Sequence, residues 1–167
     1  MNLSKLTLLF SVICPLSVFA NETQTVDTEL GTFQVKDLGQ GLSLTHNYQI
    51  SFGNETIGTT ERYIELKAFD LGVARYSGGL HSMLVKGYPA GNACAEVYSV
   101  MRFKENYQFV SERLDVCGGT KSIRKDGSIV IIKGFERDEV TKVKYVVNSD
   151  KVYKNGELFS SGSDFFD

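Results

Sequence analysis

The chain has 167 residues, of which 42% are hydrophobic, 11% aromatic and 23% charged, with 16 Gly and 2 Pro. This composition excludes a disordered or low-complexity chain, and the length allows one domain of ordinary size. The formal net charge of −2 provides no long-range field toward phosphates, so no nucleic-acid partner is expected.

Residues 1–20 read as a cleaved secretory signal peptide. Lys5 precedes the mostly apolar stretch Leu6 to Val18, and Val18-Phe19-Ala20 fits a cut before Asn21. The apolar run is too short to span a bilayer and is broken by Pro15. Ile13 before Cys14 does not fit a lipoprotein signal. The expectation is a periplasmic or secreted domain, 21–167, with no membrane span.

Within that domain the apolar residues recur with period two. Residues 21–31 are polar and are expected to be loose. Phe33 and Val35 suggest a short first strand. Leu42, Leu44, His46, Tyr48, Ile50 and Phe52 share one strand face, opposite Ser43, Thr45, Asn47, Gln49 and Ser51. Ile64, Leu66 and Ala68 alternate with Tyr63, Glu65 and Lys67. Leu80 to Lys86 reads as a strand. Ala95 to Phe103 does too, although Val97, Val100 and Met101 also fit a helical face. Ile129 to Ile132 is continuously apolar, which predicts a strand covered on both sides. Val143, Tyr145 and Val147 form a further inward face. Asp126-Gly127 and Asn155-Gly156 are type I′ hairpin dipeptides. Gly53-Asn54, Gly78-Gly79 and Gly118-Gly119 mark other turns. The tail from Ser160 to Asp167 either packs back through Phe165-Phe166 or frays. The fold class is therefore mainly β, an antiparallel sandwich or barrel-like single domain.

The expected mature chain keeps two cysteines, Cys94 and Cys117. An even pair in an exported protein predicts a disulfide. A redox Cys-x-x-Cys motif is absent, and a zinc site needs further ligands.

Catalytic signals are sparse. Of the two histidines, His46 lies on the apolar face of its strand and reads as a hydrogen-bonded core or rim residue. His81 follows a Gly-Gly turn and is expected to matter less for stability. No nucleophile elbow, phosphate loop or spaced metal-ligand motif is present, so no catalytic residue, cofactor or metal is assigned. Glu96 is a weak candidate acid that reads more simply as a solvent-facing strand residue. The tyrosines around the glycine-rich middle, Tyr76, Tyr88, Tyr98 and Tyr107, together with His81, form a candidate binding surface, since Tyr rings recur on recognition surfaces. Their plainer reading is core and rim packing.

Gly87-Tyr88-Pro89-Ala90-Gly91-Asn92-Ala93-Cys94, then Tyr98, then Val116-Cys117, resembles a recurring core in small exported proteobacterial proteins of uncharacterised function. Those carry Gly-Gly-Asn-x-Cys-Pro-x-x-Tyr and a second cysteine after a Phe-Gly pair. Here Ala90 replaces the first Gly, Ala95 the Pro, and Asp115-Val116 the Phe-Gly pair. The resemblance spans about thirty residues. It implies a β-rich fold and the pairing of Cys94 with Cys117, and it carries no activity with it.

The functional expectation is a disulfide-linked β domain that binds a protein or an envelope component without catalysis. Two alternatives stand beside it. One is an inhibitor or immunity-type protein against an envelope-acting toxin or lysozyme. The other is a hydrolase of envelope polymers, using carboxylates or His46 and His81.

Overall fold

The computed structural model describes residues 22–41, 43–75, 78–91, 94–160, 162 and 164–166. The expected signal peptide, residues 1–20, lies outside them, as do Tyr76, Asn92 and Ala93. The strands are β1 (Thr23–Thr28), β2 (Gly31–Gln40), β3 (His46–Phe52), β4 (Glu55–Ala74), β5 (Leu80–Pro89), β6 (Glu96–Lys104), β7 (Tyr107–Val110) and β8 (Leu114–Val116), followed by β9 (Thr120–Asp126), β10 (Ile129–Phe135), β11 (Lys142–Asn148), β12 (Lys151–Lys154) and β13 (Glu157–Leu158). They form two antiparallel sheets. The first runs in the order β1 to β7, with β8 also pairing β6; the second runs β13-β12-β11-β10-β9.

The first sheet folds over on itself. Its hinge is β4, a single strand of 20 residues whose register shifts between Tyr63 and Glu65 and again between Asp70 and Val73. Each β-bulge adds a residue on one side of the ladder, so the strand bends and twists there. The early part of β4 pairs β3, and the later part pairs β5. The result brings β2 and β3 over β6, although these are not neighbours in strand order. Phe103 lies 5.9 Å from Phe33 and stacks on Phe52 at 4.3 Å between centroids. One core fills this fold, from Phe33, Ile50 and Tyr63 to Met83, Val97 and Met101. A second core lies between the two sheets, where Leu84, Tyr98 and Val100 meet Val130, Ile132, Tyr145 and Val147.

Strands β5 and β6 are therefore the middle layer and are buried on both faces. That position had been expected for Ile129 to Ile132. In the structure Val130 and Ile132 are buried while Ile129 and Ile131 are only half-buried, because no layer of the described residues covers the outer face of β10. The middle position also resolves Ala95 to Phe103 as a strand: both of its faces are apolar because both are covered, which at short range imitates a helical pattern.

Other local expectations change for physical reasons. Residues 23–28 are not loose but pair with β2 through six residue pairs. The bulge at Tyr63 reverses the phase of β4, so Tyr63 is buried and Ile64 is 43% exposed. Strand β3 starts only at His46, after a left-handed Ser43, which leaves Leu44 at 70% exposure. Asn155-Gly156 has positive φ at both residues and is a type I′ loop. At the β9–β10 hairpin, Asp126 pairs Ile129 and the loop is Gly127-Ser128. Only Gly127 is left-handed there, which is the type II′ pattern rather than the expected I′.

The ladder does not close between β1 and the later part of β4. A side chain bridges the gap instead: Gln24 donates Nε2 to the Ala68 carbonyl at 2.7 Å and accepts the Ala68 N–H on Oε1 at 2.8 Å. The amide thus imitates a strand partner and satisfies an edge that buried backbone cannot leave open.

Cys94 and Cys117 form a disulfide with a Cα–Cα distance of 4.0 Å and a sequence separation of 23. It ties the segment entering β6 to the end of β8, alongside the Ala95 N–H bond to the Cys117 carbonyl. Closing a loop of this length stabilises by about 3 kcal/mol in the chain-entropy description. Close approach elsewhere demands glycine at Gly134, where a Cβ would run into Val116 Cγ1 and the Gly119 carbonyl; this lets β8 cross against β10.

Candidate functional site

Three hairpin tips of the folded first sheet gather at one end. Glu29-Leu30 joins β1 to β2, Gly53-Asn54 joins β3 to β4, and Glu105-Asn106 joins β6 to β7. Between them lies a groove of about 650 Å³ lined by Glu29, Leu30, Phe52, Glu55 and the run Phe103 to Gln108. That volume lies within the range of ligand-sized clefts.

The chemistry of the groove follows from its sequence. The stacked Phe52 and Phe103 rings provide an apolar wall. Leu30 is 43% exposed and Tyr107 40%. Leu30 is held by a local turn: its N–H donates to Thr28 Oγ1, whose hydroxyl donates to the Gly31 carbonyl. Asn106 takes φ +57° at the β6–β7 tip, which sets Tyr107 directly across from Lys104. Glu29, Glu55 and Glu105 give the lining three carboxylates against the single cation Lys104. Tyr107 and Lys104 also line a smaller recess of about 340 Å³ with Leu80, Ser128, Ser149 and Asp150, so Tyr107 divides two hollows.

The predicted surface is not assembled as such. Of its described members Tyr88, Tyr98, Tyr107 and His81, Tyr107 alone lines the groove. Tyr98 is 1% exposed and sits between the sheets, its hydroxyl bonded to Glu96 at 2.9 Å and Thr120 at 2.8 Å. Burial pushes that phenol up to about 12. Tyr88 is half-buried, with Lys86 Nζ 4.6 Å from its ring centroid. His81 is 2% exposed. Its Nε2 lies 2.7 Å from Asp70 Oδ1, an oxygen that also accepts the Gly72 N–H. The expected ranking of the histidines is thereby reversed: His46 is the more exposed one, 2.6 Å from Asp37, and His81 belongs to the core. Leu30 lies outside the sequence expectation because residues 21–31 do not read as a hairpin, whereas Phe52 and Phe103 reach the groove from β3 and β6. An apolar residue in a two-residue turn was the available signal.

Each histidine pairs with an aspartate, the rear half of an acid–base relay. His81 is sealed from solvent and its Nδ1 has no hydrogen-bond partner among the described residues, so it is closed to substrate. Asp37 faces a second cleft, of about 340 Å³, with Glu22, Glu65, Lys67 and Tyr48. Burial and the charge of Asp37 push Tyr48 up to about 12, and its hydroxyl donates to the Ile64 carbonyl at 3.1 Å. Among the described residues no group of three or more His, Cys, Asp and Glu side chains is placed to hold a metal ion.

Glu96 is half-buried rather than fully solvent-facing. It accepts from Lys86 at 2.5 Å and from the Tyr98 hydroxyl. Burial works to raise its carboxyl, but the hydrogen bonds from Lys86, Thr120 and Tyr98 prevail and hold it below the ordinary value. A carboxyl depressed on folding stabilises the native state above its unfolded value and loses that contribution as pH falls through the folded value. The Lys86 ammonium is raised, its bonds to Glu96 and Tyr88 outweighing burial, so its contribution is complete below its ordinary value and is lost only at higher pH. Glu96→Gln is therefore expected to lower the unfolding free energy by about 1–2 kcal/mol at neutral pH. The gap should shrink as pH drops below the ordinary carboxyl range of glutamate. Urea unfolding of both proteins across acid pH checks this; a pH-independent gap contradicts it.

No helix among the described residues is long and apolar enough to cross a membrane. No protein-family model matches the chain, and neither does any curated protein or solved structure.

Proposed function

We propose that this protein acts by non-catalytic binding and receives a protein partner in the hairpin-tip groove. The observation that carries this reading is the combination of exposed Leu30 and Tyr107 and the Phe52–Phe103 wall with three glutamates in one lining. A partner segment that places an apolar side chain between lysines or arginines matches it in both shape and charge. Recognition by loops at one end of a rigid β scaffold is a common arrangement. The disulfide supports work in an oxidising compartment, the periplasm or the exterior, and the sequence from Val18 to Asn21 supports export by a signal peptide. A blocker of a cationic envelope-acting toxin or lysozyme is the form of this reading that the acidic lining favours.

Leu30→Glu tests it. The change lies in an exposed turn and is expected to leave the melting temperature within a degree or two, as ordinary surface changes do. A protein captured from envelope extract by the wild type should lose tenfold or more in affinity for the variant in calorimetry with the purified partner. Equal affinity removes the groove from the function. Release of fragments from an envelope glycan by the purified protein, abolished by Asp37→Asn, would replace binding with hydrolysis in the carboxylate-lined cleft of Glu22, Asp37 and Glu65.

A further inference from the structure

The charge of this protein is unevenly distributed. Residues 22–119 carry 12 acidic and 8 basic side chains, whereas residues 120–159, which make the second sheet, carry 6 acidic and 9 basic ones. The inner face of that sheet is committed to the core through Val130, Ile132, Val143, Tyr145 and Val147. Strand alternation then puts Arg124, Lys133, Lys142, Lys144 and Lys151 on the outer face. Among the described residues none of the five is in an ion pair, while Lys67, Lys86, Arg113 and Lys154 elsewhere each have a carboxylate partner. Asp126 is the one acid in the same outward set on these strands. Lys133 and Lys144 stand directly opposite each other, an arrangement that destabilises a sheet. Between the cations lies an apolar row, Ile131, Val146 and Tyr153, cross-strand neighbours that are all half-buried.

We propose that this outer face of β9–β12 is a docking surface for an anionic lipid bilayer. The inference is independent of the hairpin-tip groove. Charge complementarity identifies the occupant. Unpaired cations surround a half-buried apolar centre with a tyrosine, the composition of a surface that rests among headgroups, with lysine stems lying along apolar area. The acidic remainder of the molecule is repelled by the same bilayer, so only this face can approach. Each lysine or arginine near an anionic surface raises binding by roughly fivefold.

Sedimentation with sucrose-loaded vesicles tests this at low ionic strength. Vesicles containing phosphatidylglycerol should bind the protein roughly a hundredfold more tightly than pure phosphatidylcholine. Lys133→Glu is the informative variant. It turns a like-charge pair into an opposite-charge pair, so its melting temperature should be equal to or above that of the wild type. It also reverses one charge on the face, so vesicle binding should fall about tenfold or more. Lys36→Glu, an exposed change on β2, should leave vesicle binding intact. Equal binding to the two kinds of vesicle overturns the proposal. So does an unchanged affinity for Lys133→Glu. Tighter binding of a single-stranded oligonucleotide than of vesicles at equal phosphate would assign the face to nucleic acid instead.

Discussion

Arg102→Met is expected to lower the unfolding free energy by about 3–5 kcal/mol, the range for breaking a buried charged network. Arg102 is fully buried on β6 and is held by carbonyl oxygens. Its Nη1 donates to Ser149 at 2.7 Å, and its Nη2 donates to Ser128 at 2.5 Å and Val147 at 2.9 Å. Burial pulls the guanidinium below its ordinary value, yet the carbonyl dipoles keep the charge solvated. The three acceptors lie at the β9–β10 turn and the β11–β12 corner, so one side chain of the first sheet fixes two corners of the second. Methionine fills much of the volume but takes a donor from three carbonyls, that of Val147 buried and those of Ser128 and Ser149 part-buried, and a buried acceptor left short of its donor costs about 1–3 kcal/mol before relaxation. Arg102→Lys should recover only part of the loss, because a single ammonium cannot reproduce the planar fork. Urea unfolding followed by circular dichroism decides it. A midpoint within experimental error of the wild type would show that the two sheets are held by apolar contact alone.

Phe165→Ala should be of similar size, about 3–5 kcal/mol, as for other buried phenylalanines. Phe165 is 1% exposed and stacks on Tyr63 with centroids 5.0 Å apart. Its carbonyl accepts the Tyr63 hydroxyl at 3.0 Å. Phe166 meets it edge-on at 5.4 Å and lies against Gly58, where any Cβ would collide with the ring. The C-terminal segment thus closes the folded sheet where β4 bends, completing the first core rather than decorating it. Limited proteolysis should cleave the variant near the tail at protease levels that leave the wild type intact. Resistance equal to that of the wild type, with an unchanged urea midpoint, would mean that the first core is complete without the tail.

Much of the strand pattern was readable in advance. Phe33 and Val35, Tyr48 and Ile50, and Val143, Tyr145 and Val147 all point inward as their alternation predicts, because each strand meets a core on one side. The candidate site was less readable. Tyr107, a member of the candidate binding surface, does line the groove, but Leu30, Phe52 and Phe103 come from three separate strands or turns, and no local pattern announces that they converge. Tyr98 and His81 show the opposite error. A polar tip suggests a surface, yet both tips are satisfied inside, by Glu96 and Thr120 in one case and by Asp70 in the other.

The β class, the positions of most strands and turns, and the two cysteines that form the disulfide are legible in the order of residues. These depend on short-range rules: period-two burial, the dihedral freedom of turn residues, and the parity of cysteines. Tertiary structure alone decided which strands acquire a second covering layer, where a bulge reverses the inward phase of β4, and that the C-terminal phenylalanines complete a core. It also decided that one glutamine amide stands in for a missing strand and that five lysines and arginines share an uncovered face. All of these depend on which surfaces meet across long sequence separations. A residue's burial is a property of that meeting, and a strand's own alternation records only that one side must be apolar, not what will cover the other.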